Sequence, residues 1–308
     1  MICLFCPKTS NSLIFSHITF RNQKRRVIKT GKTKECSPLI KWAGGKRQLL
    51  DKIHELMPKE YNRYFEPFFG GGAVFFSIAP DNAVINDSNH MLINMYNKIK
   101  ANPYSVMEKL DSLEKEYNSK INDEERKVCY YTKRELFNIC IREKDYSEDS
   151  AALFIFLNKT CFNGIYRENS KGFFNVPTGR KKTVKTYITE NVLSISELLK
   201  NTIILNEDYK KACETAEQGD FVFFDPPYWD TFSDYQKNGF GEEEHRNLAK
   251  LFTELTEKGV YCLLTNSNTD FVKALYSGYD IQVVSVMRNI NRNGNGRTGE
   301  EVIIRNFK

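Results

Sequence analysis

The chain has 308 residues, 41% of them hydrophobic and 27% charged, with a formal net charge of +6. That is an ordinary balance for a globular protein with room for one large α/β domain and a smaller inserted one. It excludes a bilayer-spanning protein, since no apolar run approaches the ~18 residues that cross a membrane, and the modest positive charge fits a polyanionic partner without requiring one.

In chain order, residues 1–36 come first and look unlike the rest. The apolar stretch 12–20 is followed, not preceded, by the basic residues 21–26. A secretory leader has the opposite order, so a cytoplasmic protein is expected, with 1–36 as a basic, mobile extension. Cys3 and Cys6 form a lone CxxC with no second pair at zinc-ligand spacing, so no metal site is expected. Cys129, Cys140, Cys161, Cys213 and Cys262 sit in apolar or helical surroundings and read as reduced thiols.

From Pro38 the pattern becomes regular. Residues 46–57 place Leu49, Leu50, Ile53, Leu56 and Met57 on one helical face. Residues 64–68 read as a strand, glycines 70–72 as a turn, 73–78 as the start of a helix, 83–85 as a second strand ending at Asn86 and Asp87, and 89–100 as a helix. Strand, glycine turn, helix, strand, acid is half of a doubly wound nucleotide fold. Residues 101–200 break the alternation with helices over 106–117, 124–141, 150–159 and 192–200, around a basic, Gly- and Asn-rich stretch. The α/β rhythm resumes with strands 202–205 and 221–224, helix 242–257, strand 260–265 and helix 270–275. Strands 281–286 and 301–306 close it as an antiparallel pair joined by a Gly/Asn/Arg loop. The expected architecture is a mixed-sheet α/β domain (37–100 and 201–308) carrying a mostly helical insert (101–200).

Chemistry concentrates at Asp225-Pro226-Pro227-Tyr228, directly after the apolar run 221–224. Ligands of parallel sheets lie beyond the carboxyl ends of strands. The prolines stiffen the turn and remove N–H donors, leaving a carboxylate, a carbonyl and an aromatic ring in one patch. An exocyclic amine needs that set: acceptors for its hydrogens and a ring for its base. The plainer alternative is a Pro-stiffened loop with a capping Asp. Upstream, residues 65–76 (FEPFFGGGAVFF) hold a glycine turn after a strand. Gly70 and Gly72 match the start of a dinucleotide fingerprint, but Phe75 stands at its third glycine, which disfavours NAD or FAD. Asp87 suits either ribose hydroxyls or a helix N-cap. Residues 41–46 (KWAGGK) suggest an anionic group but are not a P-loop. Residues 158–187 set Lys159, Arg167, Lys171, Arg180, Lys181, Lys182 and Lys185 against the single acid Glu168, interleaved with Phe162, Tyr166, Phe173, Phe174 and Tyr187. That pattern suits phosphates and bases, or else a solvated basic loop.

Taken together, KWAGGK, FEPFFGGGAVFF, VIND, NKTCFNGIYRENSKGFFNVPTG and DPPY, in this order over residues 38–308, resemble the Dam/DpnM-like family of DNA adenine methyltransferases, the D12 class. The order, with cofactor motif first, then insert, then DPPY, is similar to the α group of amino-methyltransferases, whose insert recognises the target. The resemblance implies a Rossmann-like S-adenosylmethionine (SAM)-dependent methyltransferase fold and N6-methylation of an adenine flipped out of double-stranded DNA, in a site such as GATC. It implies that Trp42, Lys46, Phe65, Glu66, Gly70, Gly72, Asp87 and Asp225 form the SAM pocket. Asp225, Pro226, Pro227 and Tyr228 would hold the target base. Phe162, Asn163, Ile165 and Arg167 would read the sequence, with Arg180, Lys181 and Lys182 on DNA. A monomer is implied, with a restriction endonuclease as a genetic partner. The rivals are an amino-methyltransferase with another target and a DNA-binding protein that has lost catalysis. Cytosine enzymes usually carry Ser, and protein-glutamine enzymes Asn, where this chain has Asp225, and the intact tetrapeptide argues against lost catalysis.

Overall fold

A computed structural model describes residues 36–229, 240–287 and 298–308. The basic extension before Cys36, its Cys3–Cys6 pair and most of the loop between the last two strands lie outside the described residues. β1 (Tyr64–Glu66), β2 (Ala83–Asn86), β3 (Thr202–Leu205), β4 (Phe221–Phe224) and β5 (Tyr261–Ser267) pair in parallel. β6 (Asp280–Met287) and β7 (Thr298–Arg305) add an antiparallel pair, and the order is β3-β2-β1-β4-β5-β7-β6. The expected mixed sheet is therefore present. Chain order reverses between β1 and β4, which pair through Tyr64↔Phe221 and Phe65↔Val222. The crevice at their carboxyl ends is the switch point where such sheets take ligands.

β1, β2 and β4 are buried along their whole length, as central parallel strands are. Alternation sorts their side chains. Tyr64, Phe221 and Phe223 join the core beneath α1 (Leu50–Leu56), α2 (Ala73–Ile78) and α3 (His90–Ala101). Phe65, Val222 and Phe224 join the opposite core, with Leu248, Phe252 and Val272. The helices there are α9 (Glu242–Glu257) and α10 (Asp270–Leu275). By the same parity Glu66 and Asp225 extend the first face, so two acids leave adjacent strands on one side.

The region between β2 and β3 is helical as expected: α4 (Pro103–Asn118), α5 (Asp123–Glu143), α6 (Glu148–Thr160) and α7 (Thr189–Leu199). Each start of α4–α6 is set by a side-chain cap: Asn102, Asn122 and Ser147 accept from Ser105, Glu125 and Ser150 N–H. At α5 the cap is reciprocal, because Asn122 Nδ2 donates back to Glu125 Oε1, while Glu125 Oε2 accepts from Ile121 N–H just before the cap. α6 is apolar nearly all round, from Ala151 to Leu157, and lies against α3, α4 and α5. Its core is continuous with the one under α1–α3.

Two details differ from the sequence pattern. The first helix starts at Leu50, not at 46, because residues 47–49 form a turn in which Leu49 N–H donates to the Lys46 carbonyl at 2.9 Å. A short helix, α8 (Tyr209–Ala212), follows β3 behind an Asp208 cap; four residues carry too little periodicity to announce it. The five cysteines expected as thiols are all unpaired, and all but Cys140 are buried.

Candidate active site

Asp225 emerges from β4 at the switch point and meets Lys46, which reaches it from the KWAGGK turn. Lys46 Nζ lies 2.8 Å from Asp225 Oδ1, with the lysine side chain 6% exposed and the aspartate 19%. The same ammonium sits 4.6 Å from the centre of the Tyr228 ring and donates to the Gly44 carbonyl. Thr265 Oγ1, from β5, donates to Asp225 Oδ1 at 2.8 Å. Burial pushes the Asp225 carboxyl up, and Lys46 and Thr265 pull it back. Tyr228 is fixed at its far end by a 2.8 Å hydrogen bond from its hydroxyl to Glu301 Oε2 on β7. The next residue, Trp229, is pinned by Asn266 Oδ1, which accepts its N–H at 3.0 Å, and by Ser267 Oγ, which donates to its carbonyl at 2.6 Å. The tetrapeptide is thus anchored on both sides to the ends of β5 and β7.

Glu66 is 3% exposed on the same face and accepts from the Tyr64 hydroxyl at 2.7 Å. Burial pushes its carboxyl well above the usual range, against the pull of that hydroxyl, and the Asp225 charge adds to the rise. Asp87 uses both oxygens on backbone: Gly70 N–H donates to Oδ2 at 2.8 Å and Asn89 N–H to Oδ1 at 2.9 Å. The cap of α3 is Asn89 rather than Asp87. Asp87 instead ties the end of β2 to the glycine turn after β1. Gly70 needs its left-handed φ of +50°, and a Cβ there would stand 2.6 Å from Trp42 Cδ1. Phe65 is a core residue of the opposite face, 1% exposed, so only its backbone borders the crevice.

Trp42 lies between that glycine and the insert: its ring stacks on Tyr166 at 5.4 Å and 20°. Residues 161–178 form a loose antiparallel hairpin, with bridges Cys161↔Thr178 and Glu168↔Phe174. At its start a 3-10 turn, Phe162–Gly164, holds Asn163 at φ +57° and leaves the Phe162 ring 53% exposed. An aromatic ring this exposed is not a core residue. Ile165 is half-buried and Arg167 exposed, its Nε donating to Asn175 Oδ1 at 2.8 Å. Lys159 is held below its usual range by burial and then by the charges of Lys181, Lys41 and Arg47. The KWAGGK turn and the hairpin therefore share one basic field. Arg180 and Lys182 also lie close enough to the exposed Asp123 to lower its carboxyl, after the larger effect of Arg126.

The sequence-predicted residues fall into two groups. Lys46, Asp225 and Tyr228 meet directly, and Gly70 joins Asp87 and Trp42. Phe162, Asn163, Ile165 and Arg167 gather on the hairpin. Thr265, Glu301 and Asn158 were not foreseen. Thr265 stands on β5 one residue past its last pairing with β4, Phe224↔Leu264; Glu301 comes from an antiparallel strand 73 residues after Tyr228, and no spacing marks it.

Residues 42–290 match the model of a family described as D12 class N6 adenine-specific DNA methyltransferase. A protein named Type II methyltransferase from Lactococcus lactis subsp. cremoris is 40% identical over 279 residues, covering 88% of this chain and 95% of that one. Another of that name from Methanocaldococcus jannaschii is 40% identical over 290 residues, covering 89% and 100%. A DNA adenine methylase from Haemophilus influenzae is 33% identical over 277 residues, covering 88% and 93%.

Proposed function

The chain belongs to the D12 class of N6 adenine-specific DNA methyltransferases, and on that premise we propose that it methylates a flipped-out adenine, with SAM as donor, within a short palindrome such as GATC. The observation that carries this reading is the anchored cluster of Asp225, Lys46 and Tyr228 at the β1/β4 switch point. Asp225 Oδ1 is engaged by Lys46 and Thr265, which leaves Oδ2 to accept an N–H of the adenine amine. A second N–H goes to the Pro226 carbonyl, and holding both turns the nitrogen lone pair outward. Tyr228, fixed through Glu301, stacks on the base. Pro227 removes a donor and stiffens the turn.

The residues around the crevice fit SAM. It brings a cationic sulfonium and ammonium, and Glu66 and Asp225 are acids facing one side of the sheet. Asp87 stands at the end of β2, where ribose hydroxyls are taken, beside the close-approach turn at Gly70 and Gly72. Trp42 and Lys46 close the pocket, and the backbone at Phe65 lines it. SAM supplies an electrophilic methyl group; the protein orients the amine and, through Asp225, accepts the proton that leaves it.

Double-stranded DNA is bound by the insert, assigned to residues 101–200. Phe162, Asn163, Ile165 and Arg167 contact bases, and Arg180, Lys181 and Lys182 contact phosphates. GATC rests on the resemblance of the NKTCFNGIYR segment alone. A monomer and a neighbouring restriction endonuclease gene complete the proposal. Sequencing DNA modified by the purified protein tests base and site together. Asp225→Asn is expected to slow transfer by ~10²-fold or more, as loss of a transition-state contact does, while still binding duplex. Near-normal turnover by that variant, or modification of cytosine, overturns the assignment.

A further inference from the structure

Asn158 lies in the last turn of α6 with its side chain 4% exposed, and its whole amide is bonded to two motifs far apart in the chain. Its Oδ1 accepts from Lys41 N–H at 2.9 Å. Its Nδ2 donates to the Lys41 carbonyl at 2.8 Å and to the Gly164 carbonyl at 3.0 Å. One side chain thereby clamps the first residue of KWAGGK to the 3-10 turn that displays Phe162 and Asn163. Contact between the two is close: a Cβ on Gly164, itself at φ +68°, would lie 2.8 Å from Lys41 Cδ. One residue on, Trp42 stacks on Tyr166 of the hairpin and presses on Gly70 of the glycine turn. Tyr166 in turn donates to Glu168 at 2.6 Å and meets the Asn89 side chain, two residues from Asp87.

A polar side chain this buried is costly unless each of its groups is paired, and here every partner is backbone of one loop or the other. It therefore fixes the relative position of the two loops rather than the shape of either. We propose that Asn158, helped by the Trp42–Tyr166 stack, is a positioning residue that couples the SAM pocket to the DNA-reading turn, so that each ligand tightens the other. The proposal rests on the reading given above, in which Trp42 and Lys46 hold SAM and the hairpin reads DNA. Ordering Trp42 from the pocket side sets Tyr166 and the turn; a base pair seated against Phe162 and Arg167 sets Lys41 and Trp42 in return. Linkage demands that the two enhancements be equal.

The test measures dissociation constants of S-adenosylhomocysteine, which cannot react, with and without duplex. The duplex constant is measured with and without S-adenosylhomocysteine. The duplex carries whichever sequence the protein is found to methylate. Wild type is expected to show the same enhancement in both directions, about 5-fold or more, within the range usual for coupled sites. Asn158→Asp loses both donors with no change of size and is expected to bring the ratio toward one. Tyr166→Leu, which removes the stack, is expected to do so in part and decides the matter where Asn158→Asp fails to fold by circular dichroism. A clamp of purely structural role would weaken both ligands and leave the ratio unchanged, and that result in folded variants overturns the proposal. So does a wild-type ratio of one while both ligands bind. Failure of wild type to bind either ligand instead overturns the assignment of the sites, and the coupling with it.

Discussion

The Lys46–Asp225 pair at 2.8 Å makes the acceptor's ionisation depend on a neighbour 179 positions earlier in the chain. Asp225 can take a proton from the amine only as the carboxylate, and burial raises its pKa. Methyl transfer is therefore expected to fall with acid at a pH above the ordinary carboxylate range. Lys46→Met removes the charge that holds the pKa down, so the acid limb of single-turnover rate at saturating ligands should move to higher pH. An unmoved limb would show that Lys46 serves SAM alone. Glu66 gives a stability prediction of the opposite kind. Its folded pKa is raised, so its contribution is favourable below the unfolded value and is lost as pH rises through the folded one. Glu66→Gln should raise the melting temperature at pH 8 and change it less at pH 5. At this scale Asp225 and Tyr228 were legible because stiff local chemistry marks them. Thr265 and Glu301 were not, since what selects them is strand adjacency, visible only once the sheet is assembled.

Helices and strands were legible wherever the apolar period ran for two turns or a full strand: α9 and β3 fall where the pattern puts them. The hairpin was legible only as composition, because its pairing is two isolated bridges and not a ladder. Its basic residues divide into two kinds. Arg167 has its Nε held by Asn175, which aims the guanidinium. Arg167→Ala should relax the choice of one base pair flanking the target, by roughly 1–3 kcal/mol, on a panel of singly altered oligonucleotides. Replacing Lys181 and Lys182 by Ala should weaken all duplexes alike and flatten the salt dependence. Equal slowing of every oligonucleotide by Arg167→Ala would make it a phosphate or structural residue. Within α9, His245 is 2% exposed between the rings of Trp229 and Phe240, and burial lowers its pKa to about 4. Between pH 6.5 and 4 the unfolded chain takes a proton that the folded one refuses, so stability falls with acid across that window. His245→Leu should flatten urea-derived stability there, by up to about 1.4 kcal/mol per pH unit.

For the molecule as a whole, the described residues begin with Cys36 against the core and Ser37, whose backbone exchanges two hydrogen bonds with the Asn191 side chain on α7. A protein beginning at Cys36 keeps those bonds and every motif, and is expected to melt within a few degrees of the full chain and to methylate DNA at moderate salt. Insolubility of that form would place part of the core before Cys36. The insert's core merges with that of α1–α3, so the helices of residues 103–160 are expected to unfold together with the first face of the sheet. Strand β7 bears on how such a protein comes into being. It is the last in chain order of the described strands, yet it lies between β5 and β6 and carries the Glu301 that steadies Tyr228. At ~5–20 residues per second its two neighbours are made seconds before it, and until it arrives, among the described strands, β6 has no partner and β5 has only β4. A message cut short before residue 298 would release a chain with an open edge on β5 and an orphaned β6, the template on which stray strands add. Such a chain would also lack the Glu301 that steadies Tyr228, so it is expected to meet the cell's proteases before it can modify DNA.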